Sequence, residues 1–227
     1  MRHYQSFPEA LNEIQRDLAE MGCKVHTKSV QNKNIEASAE HETLEIQNYT
    51  YLITSPDRSL IPLKNPTWCN DEFLERIGGE ALNPGKAWEL RADLWEPLKS
   101  VYRPGMFDYT YSERMEQPLL AVVSALERDI NTRRAFLPIF DRQLDDQDCF
   151  CERIPCSLGY WFYYRQNKLN MTYLQRSADW SEHFNNDLWL ANSLQVEVAR
   201  RLKVESGTFS HWIGSLHVFK KDVAGTF

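Results

Sequence analysis

The stretch "GYWFYYRQNKLNMTYLQR" (Gly159–Arg176) carries the clearest β signal in the chain. Two runs rich in aromatic and apolar residues flank "QNK", a polar break suited to a tight turn, so the segment reads as a hairpin. Beyond it, Leu188, Ala191, Leu194, Val198 and Leu202 recur at helical spacing and define an amphipathic helix. "TFSHWIGSLHVFKKD" then resumes β character. Upstream, "RRAFLPIF" reads as a strand and "PLLAVVSALERDI" (Pro118–Ile130) as a helix with proline in its first turn. "LEIQNYTYLI" (Leu44–Ile53) is a further strand. Leu11, Ile14, Leu18 and Met21 form an apolar helical face that Gly22 is placed to end. Between Pro56 and Pro104, repeated Pro and Gly leave only short helical pieces such as "DEFLERI". The expected fold class is α+β: a mixed or antiparallel sheet packed against a long helix, in one domain spanning residues 1–227.

The 227 residues are 42% hydrophobic and 26% charged, the balance of a globular chain with a sizeable core. A formal net charge of −6 provides no basic footprint for nucleic acid. No apolar run approaches a membrane span, and "MRHYQSFPEA" lacks a signal-peptide core, so a cytoplasmic protein is expected. Five cysteines, an odd number, suit a reducing compartment. Cys149, Cys151 and Cys156 crowd together in "CFCERIPC", but no fourth ligand follows at a zinc-like spacing. The cluster reads as one functional thiol with two bystanders, and no metal is expected.

"YLQRSADWSEHFNNDLW" (Tyr173–Trp189) sets Arg176 beside Ser177, with Asp179 next and Asp187 closing the polar run. A cation, a hydroxyl and two carboxylates from one short segment suit a phosphorylated, hydrogen-bonding heterocycle.

Taken with "INTRRAFLPIF", "RIPCSLGYWFYY" and "GSLHVF", that segment resembles the superfamily of thymidylate synthases and deoxycytidylate hydroxymethylases. Several ordered motifs at matched spacing carry the likeness, closely over the second half of the chain and loosely over the first. It implies a homodimer formed through the sheet, with 5,10-methylenetetrahydrofolate delivering one carbon to C5 of a pyrimidine nucleotide monophosphate. Cys156 would add to C6 of the ring, a role that suits a thiolate near cations. Arg176 and Ser177 would hold the phosphate, joined across the dimer by Arg133 and Arg134 of the other subunit. Asp179 matches an aspartate that contacts the base through its backbone, and His217 a histidine beside the sugar hydroxyl. Phe219 replaces the tyrosine common near that hydroxyl. Lys28 falls where a phosphate-binding loop would lie, and a solvated lysine is the competing reading. The family's proton-relaying glutamate leaves Glu75 and Glu80 as candidates, and its site tyrosine is Tyr109 or Tyr111.

Asp187 falls where thymidylate synthases usually carry asparagine. An amide suits uracil; a carboxyl group suits cytosine, accepting from the amino group while a shared proton satisfies N3. A competing alignment gives base reading to Asn185 or Asn186 and makes Asp187 a helix N-cap. A C-terminal segment shorter than the family's favours hydration of the intermediate, so the expected activity is deoxycytidylate (dCMP) 5-hydroxymethyl transfer. The alternatives are a thymidylate synthase acting on deoxyuridylate (dUMP) and a non-catalytic nucleotide-binding homologue.

Overall fold

The computed structural model describes residues 1–30, 33–34, 39–145 and 153–223. Among them, seven strands build one mixed sheet: β1 (Arg2–Tyr4), β2 (Cys23–Val25), β3 (Thr43–Ile53), β4 (Phe136–Pro138), β5 (Ser157–Arg165), β6 (Lys168–Asp179) and β7 (Glu205–Phe219). Their order is β1-β3-β7-β6-β5-β4, with β2 pairing onto β3. The α+β expectation holds. Strands β1/β3 and β6/β7 are parallel and the other pairs antiparallel.

The β5–β6 hairpin forms where its alternation places it. Gln166 and Asn167 turn the chain with φ values of 54° and 62°, the paired left-handed conformation whose twist matches the flanking strands. Parallel pairing of β6 with β7 demands a crossover, which α4 (Phe184–Leu202) supplies. Helix α4 starts four residues before the apolar run suggests; Leu188, Ala191, Leu194 and Val198 are buried along it. Helix α1 (Phe7–Met21) follows the predicted face, capped by Ser6. Helix α2 (Pro66–Ile77) extends "DEFLERI" back to a proline at its start, behind an Asn65 cap.

Two expectations need correction. Helix α3 runs Tyr111–Arg128, so Pro118 lies inside it rather than at its first turn. The cause is a capping box: Thr110 Oγ1 accepts from Glu113 N while Glu113 accepts from Thr110 N. "RRAFLPIF" yields only the three-residue β4. The core joins α1, α3 and α4 to the sheet through residues such as Phe7, Leu18, Leu119, Phe162, Met171, Leu194 and Phe209. No helix of the described residues is long and apolar enough to cross a membrane.

Candidate active site

Strand β6 and its return through α4 and β7 deliver most of the chemistry to one cavity of about 400 Å³. Cys156, Arg176, Ser177, Asp179, Asp187 and His217 all line it, together with both Tyr109 and Tyr111. The thiol is half-buried just before β5. Arg176 is tied to the same chain segment: its backbone N–H donates to Cys156 O (2.8 Å), its Nη2 to Ile154 O (2.8 Å) and its Nε to Pro155 O (2.9 Å). The cation is therefore fixed on the segment that leads into Cys156, while Nη1 keeps donor capacity for an anion. Gly214 of β7 lets that strand pack closely on Arg176, because a Cβ there would come 2.8 Å from Arg176 O.

Asp187 occupies the first turn of α4, and His183, not Asp187, is the N-cap. Asn185 donates to Pro62 O and buried Asn186 accepts from the Cys69 thiol at 3.3 Å; neither lines the cavity. Asp187 Oδ2 accepts from Gln175 Nε2 at 2.7 Å, and Gln175 Oε1 lies 3.0 Å from His211 Nε2. His211 Nδ1 in turn lies 2.9 Å from the Tyr51 hydroxyl. Burial lowers the His211 pKa to about 3, so its ring is neutral. Donation from Nε2–H to Gln175 and acceptance at Nδ1 from Tyr51 then fix the amide with its N–H₂ toward Asp187. Burial pushes the Asp187 carboxyl up to about 6, against the opposing pull of Arg76 and of the Gln175 bond.

Asp179 Oδ1 accepts from Ser181 N (3.0 Å) and Glu182 N (3.3 Å). Burial raises its pKa, with the neighbouring His217 pulling the other way. Burial lowers the His217 pKa, with Asp179 opposing it. The Tyr111 hydroxyl lies 3.1 Å from Ser157 Oγ, whereas Tyr109 packs beneath the guanidinium of Arg153. Burial pushes the Tyr109 phenol up to about 12.

Other predicted residues lie apart from the cavity lining. Glu75 accepts from the backbone N–H of Lys86 (2.6 Å) and Ala87 (2.9 Å), which makes it a loop anchor in a small neighbouring recess. Glu80 is exposed. Arg133 and Arg134 are exposed between α3 and β4, away from this chain's own cavity. Lys28 is exposed beside Thr27, which does line it. Cys149 and Cys151 lie outside the described residues, among which no metal-holding cluster occurs.

Sequence reasoning missed a whole wall: Trp68, Arg76, Trp95, Arg153 and His183. Trp68 and Trp95 stack at 6.3 Å, and the Arg153 guanidinium lies 5.0 Å from the Trp95 ring centroid. Trp68 Nε1, Trp95 Nε1 and Arg153 Nε are buried donors without partners in the described structure. Arg76 stacks 3.8 Å from the Tyr111 ring centroid and donates from Nε to Glu72 at 2.8 Å. Burial, reinforced by Arg91 and Arg153, lowers His183 to about 3, leaving a neutral imidazole. The one available signal was the density of tryptophan in a Pro/Gly-rich segment.

One cavity thus joins a thiol, a cation, a carboxyl group on a hydrogen-bonded relay and an aromatic wall. The thymidylate synthase family profile matches residues 71–226. A Methanocaldococcus jannaschii protein described as "Putative thymidylate synthase" is 26% identical over 191 residues, covering 82% of this chain and 79% of that protein. The chain belongs to the thymidylate synthase family, whose members transfer one-carbon groups to pyrimidine nucleotides and in general use methylenetetrahydrofolate.

Proposed function

We propose that this protein transfers a one-carbon unit from 5,10-methylenetetrahydrofolate to C5 of deoxycytidylate, yielding the 5-hydroxymethyl nucleotide. The observation that carries the reading is Asp187: a carboxyl group in the cavity wall, anchored through Oδ2, with a pKa near 6. With its proton it donates to cytosine N3, and its oxygens accept from the exocyclic amine. Facing uracil, an ionised carboxylate would oppose O4 with another acceptor, a mismatch worth about 1–3 kcal/mol.

The chemistry begins when the Cys156 thiolate forms a bond to C6, placing an electron pair at C5. Arg176, held against residues 154–156, favours that thiolate and pairs with the phosphate. When bound, the folate supplies a carbon at the formaldehyde oxidation level. The aromatic wall fits such a planar group, because Trp68, Trp95 and Arg153 present buried donors to its acceptors. C5 would bond to the supplied carbon and lose its proton, and tetrahydrofolate would leave with the electron pair of the carbon–nitrogen bond. Water would add to the exocyclic methylene and give up a proton, and the electron pair returning through C5 would break the S–C6 bond and free the thiolate. Neutral His183 in the cavity wall is an acceptor suited to positioning that water and supports hydration over reduction. Exposed Arg133 and Arg134 support a homodimer in which each subunit completes the other's phosphate site.

Tritium release from [5-³H]deoxycytidylate, with tetrahydrofolate as co-product, is the expected result. Release from deoxyuridylate alone would overturn the base assignment. The second reading, methylation of deoxyuridylate, is consistent with the name carried by the Methanocaldococcus jannaschii relative. It predicts dihydrofolate and its absorbance rise.

A further inference from the structure

The row containing Asp179 and His217 continues onto a third strand. His217 of β7 pairs with Asp179 in the parallel register and with Glu45 of β3 in the antiparallel one. Residues in register share a sheet face, and all three line the cavity. Glu45 Oε2 accepts from Ser215 Oγ at 2.6 Å, and the same Oγ lies 3.4 Å from His217 Nδ1. Glu45 Oε1 accepts from Gln47 Nε2 at 3.3 Å. An ionised carboxylate only accepts and has about four lone-pair positions, so these two donors leave capacity for a third.

The neighbours narrow what that third donor is. Phe219 sets its ring edge-on to His217 at 5.3 Å and has no hydroxyl. The Thr43 hydroxyl is committed to Val25 O at 3.2 Å. A phosphate at this level would meet the like charge of Glu45, whereas Arg176 stands two strands away on β6. A neutral hydroxyl donor suits the position.

We infer that Glu45 reads a hydroxyl of the substrate's sugar, accepting the hydrogen bond that this hydroxyl donates next to His217. The inference rests on the nucleotide reading above and adds a specificity-determining residue to it. The hydroxyl concerned is the one that deoxycytidylate carries and 2′,3′-dideoxycytidylate lacks.

The test pairs protein and ligand deletions. Binding of deoxycytidylate and of 2′,3′-dideoxycytidylate is measured by tryptophan fluorescence for wild type, Glu45→Ala and Glu45→Gln. Wild type is expected to prefer the hydroxylated nucleotide by about tenfold, and Glu45→Ala to lose that preference while binding the dideoxy form unchanged. Equal weakening of both ligands in both variants would overturn the inference and leave Glu45 as a positioning residue for Ser215 and His217. Glu45→Gln keeps the side chain's shape and carries the test should the alanine variant unfold; it is expected to lose part of the preference. Absence of any nucleotide binding by wild type would overturn the nucleotide reading itself, and this inference with it.

Discussion

The two walls of the cavity differ in how completely their polar groups are satisfied. On the sheet wall, Asp187, Gln175, His211 and Tyr51 form a continuous hydrogen-bonded run reaching into the core. On the aromatic wall, Trp68, Trp95 and Arg153 each bury a donor without a partner among the described residues. Buried polar groups are normally paired, and an unpaired one costs about 1–3 kcal/mol. The sheet wall therefore holds its geometry in advance, whereas the aromatic wall recovers its deficit when a ligand with acceptors arrives. Under the proposed function, base reading belongs to the first and carrier binding to the second.

The largest effect should come from the thiol. Cys156→Ser is expected to lower C5 tritium release by at least about 10³-fold while leaving nucleotide binding in place. Cys69→Ser should leave turnover within about threefold: that thiol is buried against Asn186 with its pKa pushed up to about 12. Equal losses from both would dissolve the distinction between the two cysteines.

Next comes the sheet wall. Asp187→Asn is expected to shift the deoxycytidylate-to-deoxyuridylate ratio of kcat/KM by about 10- to 100-fold toward uracil. The sign of the pH effect follows from a raised carboxyl pKa. The proton is present below about 6 and lost above it, so kcat/KM for deoxycytidylate falls as pH rises through that value. Gln175→Leu removes a bond that favours ionised Asp187, so the falling limb should move to higher pH; in Asp187→Asn it should vanish.

The aromatic wall sharpens the contrast with a smaller change. Arg153→Met should raise KM for methylenetetrahydrofolate about tenfold and leave the nucleotide dissociation constant within about twofold. Parallel losses for both ligands would merge the two walls into one site. Smallest is Tyr51→Phe at the far end of the relay, expected to cost about 1–2 kcal/mol in thermal unfolding with little change in turnover.

Sequence legibility divides along the same line. The hairpin was readable from its own alternation, whereas Cys156, Arg176, Asp187 and His217 were singled out by the resemblance of their motifs to the family's, and the fold brings all four to one cavity. Glu45 was not singled out, because its place opposite His217 is set by strand register across more than half the chain. Arg76, Trp68 and Trp95 come from short helices between prolines, and only tertiary packing brings them to the thiol. Glu75 read as a candidate by proximity in sequence, yet two backbone N–H groups hold it in a neighbouring recess. Pro118 misled because proline at a first turn is common, while the Thr110–Glu113 cap upstream outweighed it.

The orientation of the Gln175 amide has a genetic corollary. Its Nε2 needs only an oxygen at position 187, which aspartate and asparagine both provide. Exchanging one for the other takes a single transition in the first base of the codon and leaves the rest of the relay intact. A lineage could thus trade one pyrimidine for the other without passing through a misfolded ancestor.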